Sequence, residues 1–114
     1  MRIVKPIKKK NAFVYGAGEA GRQLVNSLEN NTEFNVVGFI DDNKKLTKKI
    51  LLNKTIFSSV NLQKLIISKK VSVVFLAMPS VGRSKRNHII QKLNKFKLIL
   101  KTLPSISEII DGRV

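Results

Sequence analysis

The chain has 114 residues, which is enough for one domain with a hydrophobic core and too few for two. It contains no run of roughly 18 apolar residues that could span a membrane, and no cysteine, which excludes disulfides and thiolate chemistry. The formal net charge is +15, from 22 Lys and Arg against 7 Asp and Glu. Such a charge attracts polyanions, either nucleic acid or an anionic membrane, although lysines scattered over a solvated surface would produce the same total.

The first half of the chain predicts a leader, two strands and a helix between them. Residues 1–10 carry five positive charges without a sustained hydrophobic period, which predicts a basic leader or linker. Residues 12–15, Ala-Phe-Val-Tyr, are a continuous apolar run typical of a strand buried on both faces. A helical pattern follows the next glycines and ends at Asn30-Asn31. The second strand is predicted at residues 35–40, just before a polar turn cluster.

The second half continues the alternation of strands and helices. Residues 43–54 are predicted to be a lysine-rich surface excursion, followed by a short edge strand at 55–59. Ser59 is predicted to cap the helix that follows. The remaining predicted elements are a fully apolar strand at 71–78, a helix at 83–95, a strand at 97–103 and the first turns of a helix at 105–110.

Alternating strands and helices, with strands that look buried, predict a parallel sheet covered by helices on both faces. Because crossover connections are right-handed, few topologies remain. We predict a doubly wound α/β fold of the Rossmann-like type, a single three-layer domain over residues 11–114, with strand order 3-2-1-4-5.

The segment "GAGEAG" follows the first predicted strand and opens the first predicted helix. Gly16 would permit a tight turn, Gly18 would let the main chain approach a pyrophosphate, and Gly21 would let the helix pack closely on the strand. The N–H groups around Glu19 and Ala20 would face that phosphate at the positive end of the helix dipole. Glu19 is equally explained as an acid favoured by the dipole. The loop predicts a nucleotide ligand such as NAD, or else a tight turn without a ligand.

An acidic pair supports the nucleotide interpretation. Asp41 lies 20 residues after Gly21, at the end of the second predicted strand, where an acid can accept hydrogen bonds from ribose hydroxyls. Asp42 is the alternative if the register differs by one residue. An acid here disfavours the extra phosphate of NADP. The competing interpretation is that Asp41 and Asp42 belong to a turn and capping cluster.

A third loop, "AMPSVGRSKR", follows the strand predicted at 71–78. It should lie beside the glycine loop at the same edge of the sheet. Pro79 and Ser80, with Arg83 and Arg86 after them, could supply hydroxyl and guanidinium contacts to a phosphate or a nucleotide-sugar. Alternatively, Pro79 and Ser80 begin a helix and both arginines face solvent.

Residues for catalysis and for metal binding are not recognisable in the sequence. A short-chain-dehydrogenase site would need a Tyr followed four residues later by Lys, but Tyr15 has Glu19 at that spacing. His88 lies in a helical pattern with no acidic partner near it in sequence. No His and carboxylate cluster has metal-ligand spacing. We therefore predict a binding domain without a catalytic residue or a metal of its own.

Four segments together resemble one bacterial family. "VYGAGEAGRQLV", "VVGFIDDN", "VVFLAMPS" and "KTLPSISEIIDGRV" resemble, in this order, the N-terminal Rossmann-like, CoA-binding-like domain of the membrane-bound nucleotide-sugar epimerases and dehydratases of polysaccharide biosynthesis. The resemblance covers residues 11–114. One departure is Asn53 in "ILLNKTIF", where the family has a glycine-bearing turn.

The resemblance implies a regulatory or structural domain that binds NAD or a nucleotide-sugar. It implies a longer polypeptide with transmembrane helices before this domain and a catalytic UDP-sugar dehydratase, epimerase or 4-dehydrogenase domain after it. It further implies a homo-oligomer at the cytoplasmic face of the bacterial inner membrane, with no nucleic-acid partner. The alternatives are a stand-alone module that senses NAD(H) or CoA and, third, a basic polyanion binder.

Overall fold

A computed structural model describes residues 8–31 and 33–102 of the protein. The helices are α1 (Glu19–Leu28), α2 (Leu62–Ser68) and α3 (Arg83–Leu93), and a 3-10 turn (Ser59–Asn61) precedes α2. The strands are β1 (Lys10–Tyr15), β2 (Phe34–Ile40), β3 (Ile50–Leu51), β4 (Lys54–Phe57), β5 (Val71–Leu76) and β6 (Ile99–Thr102).

The described strands form one sheet with the order β3-β4-β2-β1-β5-β6. All neighbouring strands are parallel except β3 and β4. The predicted doubly wound α/β fold is confirmed, and the five longer strands have the predicted order. The order reverses at β1, which pairs with β2 on one side and with β5 on the other. The carboxyl ends of these three strands therefore meet at the position where such folds bind ligands.

Two hydrophobic clusters cover the two faces of the sheet. In β1, Ala12 and Val14 belong to one cluster with Val25 of α1, while Phe13 and Tyr15 belong to the other with residues of α2 and α3. Successive strand residues point to opposite faces, so a strand covered on both sides must be apolar at every position. This burial explains the unbroken apolar run from which the strand was predicted.

The segment predicted as a surface excursion contains an unpredicted strand. β3 pairs antiparallel with β4 through a two-residue loop, in which Leu52 has φ 51° and Asn53 has φ 62°. Positive φ at both positions is the requirement of a type I′ hairpin turn. Asn tolerates this conformation well, which explains how Asn53 can replace a glycine, whereas a bulky residue such as Leu52 seldom adopts it.

The start of the helix after β4 was also predicted wrongly. The hydroxyl of Ser58, rather than that of Ser59, accepts a hydrogen bond from the Val60 N–H at 3.2 Å and begins the 3-10 turn. Ser59 is buried and uses its hydroxyl elsewhere. The helix predicted at 105–110 and most of the predicted leader lie outside the described residues. Within residues 8–31 and 33–102, no helix has the length and apolar composition needed to cross a membrane.

Candidate functional site

The glycine loop joins β1 to α1, and two of its glycines are required by the fold. Gly16 has φ 116°, which side chains rarely permit, and a Cβ there would collide with the carbonyl oxygen of Ala77. A Cβ on Gly21 would collide with the carbonyl oxygen of Gly16. These two glycines therefore allow the close approach of β1, α1 and the end of β5.

Gly18 is different because neither backbone conformation nor packing requires a glycine there. Its φ of −84° and ψ of −161° are accessible to any residue. A Cβ at Gly18 would have no atom within 4 Å. The missing side chain leaves open space in front of the main chain, at the place where a pyrophosphate approaches in dinucleotide-binding folds.

The N-terminus of α1 opens into this space. Gly18 is the N-cap and supplies no side-chain hydrogen bond, and the first intrahelical donor is the Arg22 N–H, which bonds to the Gly18 carbonyl at 3.0 Å. The N–H groups of Glu19, Ala20 and Gly21 precede that bond and have no intrahelical acceptor. Such groups, together with the helix dipole, are suited to bind an anion. The Glu19 side chain is exposed and accepts a hydrogen bond from Gln23.

Asp41 fixes the geometry of the glycine loop. One carboxylate oxygen accepts the Ala17 N–H at 2.8 Å, and the other accepts the Asn43 N–H at 2.8 Å. The main-chain N–H of Asp41 also donates to the Phe57 carbonyl at 3.0 Å. Asp41 therefore joins the glycine loop to the ends of β2 and β4, and both of its oxygens already hold a main-chain partner.

Asp42 belongs to a chain of side-chain hydrogen bonds. The Tyr15 hydroxyl lies 2.9 Å from both carboxylate oxygens of Asp42, and the Ser59 hydroxyl donates to one of them at 2.6 Å. The Lys92 ammonium group of α3 donates to Ser59 at 3.1 Å. These contacts come from four different elements, and they orient the Asp42 carboxylate at the carboxyl edge of the sheet.

Tyr15 is a neutral donor in this network. Its side chain is only 2% exposed, and burial raises the pKa of the phenol well above its usual value of 10.0. The hydrogen bond to Asp42 and the negative charges of Asp42 and Asp41 raise it further, while the Ser59 hydroxyl acts in the opposite direction. The phenol therefore keeps its proton at neutral pH and donates to Asp42.

A pocket of about 230 Å³ lies at this edge of the sheet. Of the ten residues predicted for the site, Gly16, Asp41 and Asp42 line it. Its other walls come from the end of β1, the turn after β2, and the loop and first turns around α3, and the residues are Tyr15, Asn43, Met78, Val81, Lys85 and Ile89.

The other predicted site residues do not line the pocket. Gly18, Glu19, Ala20 and Gly21 lie at the start of α1, while Pro79, Ser80 and Arg83 are exposed in the loop after β5 and at the start of α3.

Lys85 lines the pocket but was not predicted as a site residue, although its spacing from Ile89 in the sequence indicates its position. Lys85 precedes Ile89 by four residues on α3, so both side chains lie on the same side of the helix. Ile89 is buried against the sheet, which directs Lys85 towards the pocket as well. Lys85 supplies a positive charge to a pocket that otherwise contains two carboxylates.

Comparison with known proteins identifies the family. A family model described as C2185-like, N-terminal, matches residues 8–71. The chain belongs to this family. The crystal structure of UDP-D-quinovosamine 4-dehydrogenase from Vibrio fischeri is 36% identical to the chain, with a TM-score of 0.87; the match covers 94% of this chain and 88% of that one. No match was found among curated proteins.

More distantly related structures share the fold of this chain. The Rex-family repressor RSP has 16% identity and a TM-score of 0.73 over 93% of this chain. Its complex with β-NAD+ and operator DNA has 15% identity and a TM-score of 0.73 over 92% of this chain. The matched region is 57% and 55% of those chains, so this chain spans little more than half their length. At this identity the likeness concerns the fold alone.

Proposed function

We propose that the chain is a nucleotide-binding regulatory or structural domain of a bacterial UDP-sugar dehydratase, epimerase or 4-dehydrogenase. The main support for nucleotide binding comes from Gly18. Its missing side chain leaves open space beside the N-terminus of α1, which has no side-chain cap, although the fold does not require a glycine there. The 36% identical structure is named as a UDP-sugar 4-dehydrogenase, which supports the sugar-nucleotide context. The ligand is an NAD-type dinucleotide or a nucleotide-sugar.

The residues of the site fit the parts of such a ligand. The N–H groups of residues 19–21 would bind the pyrophosphate in front of Gly18. Asp42 would accept hydrogen bonds from ribose hydroxyls, because it lines the pocket with an exposed side chain, whereas Asp41 is half-buried and holds the main chain with both oxygens. Lys85 would neutralise part of the phosphate charge. At about 230 Å³ the pocket is smaller than a typical ligand pocket of about 300–1,000 Å³, so one part of the nucleotide would enter it.

The remaining expected site residues and partners belong to the same proposal. Pro79, Ser80 and Arg83 would lie beside the ligand as the outer wall of the site. Residues 11–114 would form the folded domain, and residues 1–10 would be a basic segment near a membrane helix of the same longer polypeptide. The catalytic domain would follow in that polypeptide, which would act as a homo-oligomer at the cytoplasmic face of the bacterial inner membrane in surface-polysaccharide biosynthesis.

Calorimetry with NAD, NADH, a UDP-sugar, CoA and ATP tests this proposal on the 114-residue chain. We expect at least one of these ligands to bind below the millimolar range. We further expect Gly18→Val to weaken binding by at least about tenfold, equivalent to about 1.4 kcal/mol, because a branched side chain would fill the space for the pyrophosphate. If none of the five ligands binds, the proposed nucleotide site is wrong.

Gly82→Val is the matched control for folding. Gly82 is the N-cap of α3 and has an extended backbone, and a Cβ at this position would likewise have no atom within 4 Å. Urea unfolding of both variants measures how much the free energy of unfolding falls when valine replaces an N-cap glycine that has free space around it. A loss of stability for Gly18→Val that far exceeds that of Gly82→Val, and that accounts for its lost binding, would show that Gly18 serves the turn and not the contact with the ligand.

A stand-alone sensor of NAD(H) is the second candidate, favoured by the likeness of the fold to a repressor that has been solved with NAD+ and with NADH. Binding of a UDP-sugar would support a domain of a sugar-nucleotide enzyme against the sensor, whereas binding of NAD(H) alone fits both candidates. In that case the flanking sequence distinguishes them: transmembrane helices and a second glycine motif support the enzyme domain, and a DNA-binding domain supports the sensor.

A further inference from the structure

Charge is distributed very unevenly along the chain. Residues 43–102 contain 15 Lys and Arg and no Asp or Glu, whereas residues 8–42 contain four Lys and Arg and five Asp and Glu. Asymmetry of this size between two parts of one domain indicates an interaction with a polyanion more strongly than the total charge does.

The fold places part of this positive charge on one side of the sheet. Helices α2 and α3 pack on one side of the sheet and α1 on the other. The side with α1 carries Glu19 and Glu29 beside Arg22. We use the term basic face for the exposed cations, apart from Lys85 of the pocket, on α2, on α3 and in the turns that follow each helix, which are Lys64, Lys70, Arg83, Lys95 and Lys97.

Large aliphatic side chains are exposed on the same side of the sheet. Val60 is 84% exposed just before α2, Ile67 is 69% exposed on α2, and Lys64 lies three residues before Ile67 on the same side of that helix. Ile50 of β3 is 72% exposed. Its neighbour Leu51 packs against the cluster under α1, so Ile50 points to the opposite side, where α2 lies.

We propose that the basic face binds the surface of an anionic lipid bilayer. The lysines would attract the lipid phosphates, and the exposed aliphatic side chains would enter the headgroup region, as on interfacial amphipathic surfaces. Val60, Ile67 and Ile50 are therefore contact residues, and the charge complementarity specifies an anionic lipid.

Two observations favour lipid over nucleic acid. Of the 15 cations in residues 43–102, 13 are Lys, which acts as a point charge, and two are Arg, which provides the bidentate geometry common in nucleic-acid recognition. Proteins that bind single strands also stack bases on exposed aromatic rings. All the aromatic residues of this chain lie within the described residues, and each is buried or half-buried.

Flotation of the 114-residue chain with vesicles tests this proposal. We expect binding to vesicles of phosphatidylcholine with phosphatidylglycerol and not to phosphatidylcholine alone, and weaker binding when salt rises from about 0.1 M to about 1 M. The double variant Lys64→Glu with Lys70→Glu should bind at least about 20-fold more weakly, since each lysine near the surface contributes about 1 kcal/mol. Val60→Ser with Ile67→Ser should lose about tenfold.

Matched control variants lie on the other side of the sheet. Arg22→Glu with Lys101→Glu changes the net charge equally, but Arg22 lies on α1 and Lys101 lies over the Phe34 ring of the cluster under α1. Ile99→Ser removes an aliphatic side chain that is 49% exposed and pairs with Val73 of the same cluster. We expect these controls to change vesicle binding by less than about threefold, an effect below about 0.7 kcal/mol.

Two outcomes would overturn the proposal. If both double charge reversals weaken vesicle binding equally, net charge alone attracts the chain and the basic face is not the contact surface. If duplex or single-stranded DNA binds while anionic vesicles do not, the face serves nucleic acid. Neither outcome depends on nucleotide calorimetry, so the membrane surface and the nucleotide site can fail separately.

Discussion

The three glycines of the loop after β1, at positions 16, 18 and 21, have different roles in the structure. Gly16 and Gly21 are required by backbone conformation and close packing, so their substitution affects folding. Gly18 has an ordinary conformation and open surroundings. The sequence motif does not distinguish the three glycines. The structure shows that the fold requires Gly16 and Gly21 but does not explain why residue 18 is a glycine.

Asp41 and Asp42, both predicted for the site, are held by different partners. Spacing in the sequence favours Asp41 as the ribose acceptor, but its oxygens accept the main-chain N–H groups of Ala17 and Asn43. Asp41→Ala would therefore disturb the loop itself and cannot separate binding from folding. Asp42→Asn is the more informative change, because Tyr15 and Ser59 hold Asp42 without a main-chain contact to the loop.

The titration of Tyr15 is a prediction at the residue scale. Burial raises the pKa of its phenol above the value of 10.0 that applies in the unfolded chain. Because the folded pKa is the higher one, the stability contributed by the neutral phenol is fully present below pH 10 and is lost as pH rises through the folded pKa. We expect the native chain to show little phenolate absorption near pH 10, and the urea-unfolded chain to be about half ionised there.

The phenolate absorption can be assigned to Tyr15, because the chain contains one Tyr and no Trp. Circular dichroism at the same pH controls for unfolding. A native chain that stays folded yet ionises near pH 10 would contradict the burial of the phenol. Tyr15→Phe should also lower the free energy of unfolding by about 1 kcal/mol at neutral pH, the usual contribution of one hydrogen bond.

At the scale of elements, the hairpin of β3 and β4 explains an error of sequence reasoning. A lysine-rich segment without alternation gives no strand signal, and two residues are too few to show a period. The strand forms because Ile50 and Leu51 can pair with Thr55 and Lys54 across the turn. Leu51 then packs against the cluster under α1, which stabilises the edge of the sheet.

Substitutions in this turn have opposite predicted effects. Leu52→Asn should raise the free energy of unfolding by about 1 kcal/mol, because Asn adopts positive φ more readily than Leu. Asn53→Ala should lower it by a similar amount, because Ala lacks that tolerance. Urea unfolding at neutral pH measures both changes. A loss of stability in Leu52→Asn would show that Leu52, which is 38% exposed, contributes more by packing than its conformation costs.

The polar network of the site also belongs to the scale of elements. It joins the end of β1, the turn after β2, the 3-10 turn before α2, and α3 through Tyr15, Asp42, Ser59 and Lys92. Each residue alone looks ordinary in the sequence: a strand tyrosine, a turn acid, a helix-capping serine and a surface lysine. Their separation of up to 77 positions, from Tyr15 to Lys92, explains why no local pattern predicted the network.

At the scale of the whole molecule, the uneven charge should limit stability. Residues 43–102 contain no carboxylate side chain, so their 15 cations repel one another with few internal partners. We expect the urea midpoint of unfolding to rise when sodium chloride is raised from about 0.02 M to about 0.2 M, since the Debye length then falls from above roughly 20 Å to below roughly 10 Å. An unchanged or lower midpoint would contradict net repulsion in the folded state.

Substituting lysines provides a control for this effect. Lys64→Gln with Lys70→Gln removes two charges from the basic face, and it should raise stability at low salt and reduce the gain that salt produces. Both residues are exposed, so lost packing should be small. Sodium chloride is used because sulfate and phosphate would also strengthen hydrophobic burial and so raise stability by a second route.

The order of elements, the parallel sheet and the position of the glycine loop could all be predicted from the amino-acid sequence. Buried parallel strands must be apolar throughout, and the positive φ of Gly16 and the close contact of Gly21 with the Gly16 carbonyl are local, so these features are encoded by residues close together in the chain. Only the folded chain shows that Asp41 holds the loop, that Lys85 and Tyr15 line the pocket, and that the cations of α2 and α3 share one face. These arrangements depend on contacts between distant segments, which arise only when the sheet brings the segments together.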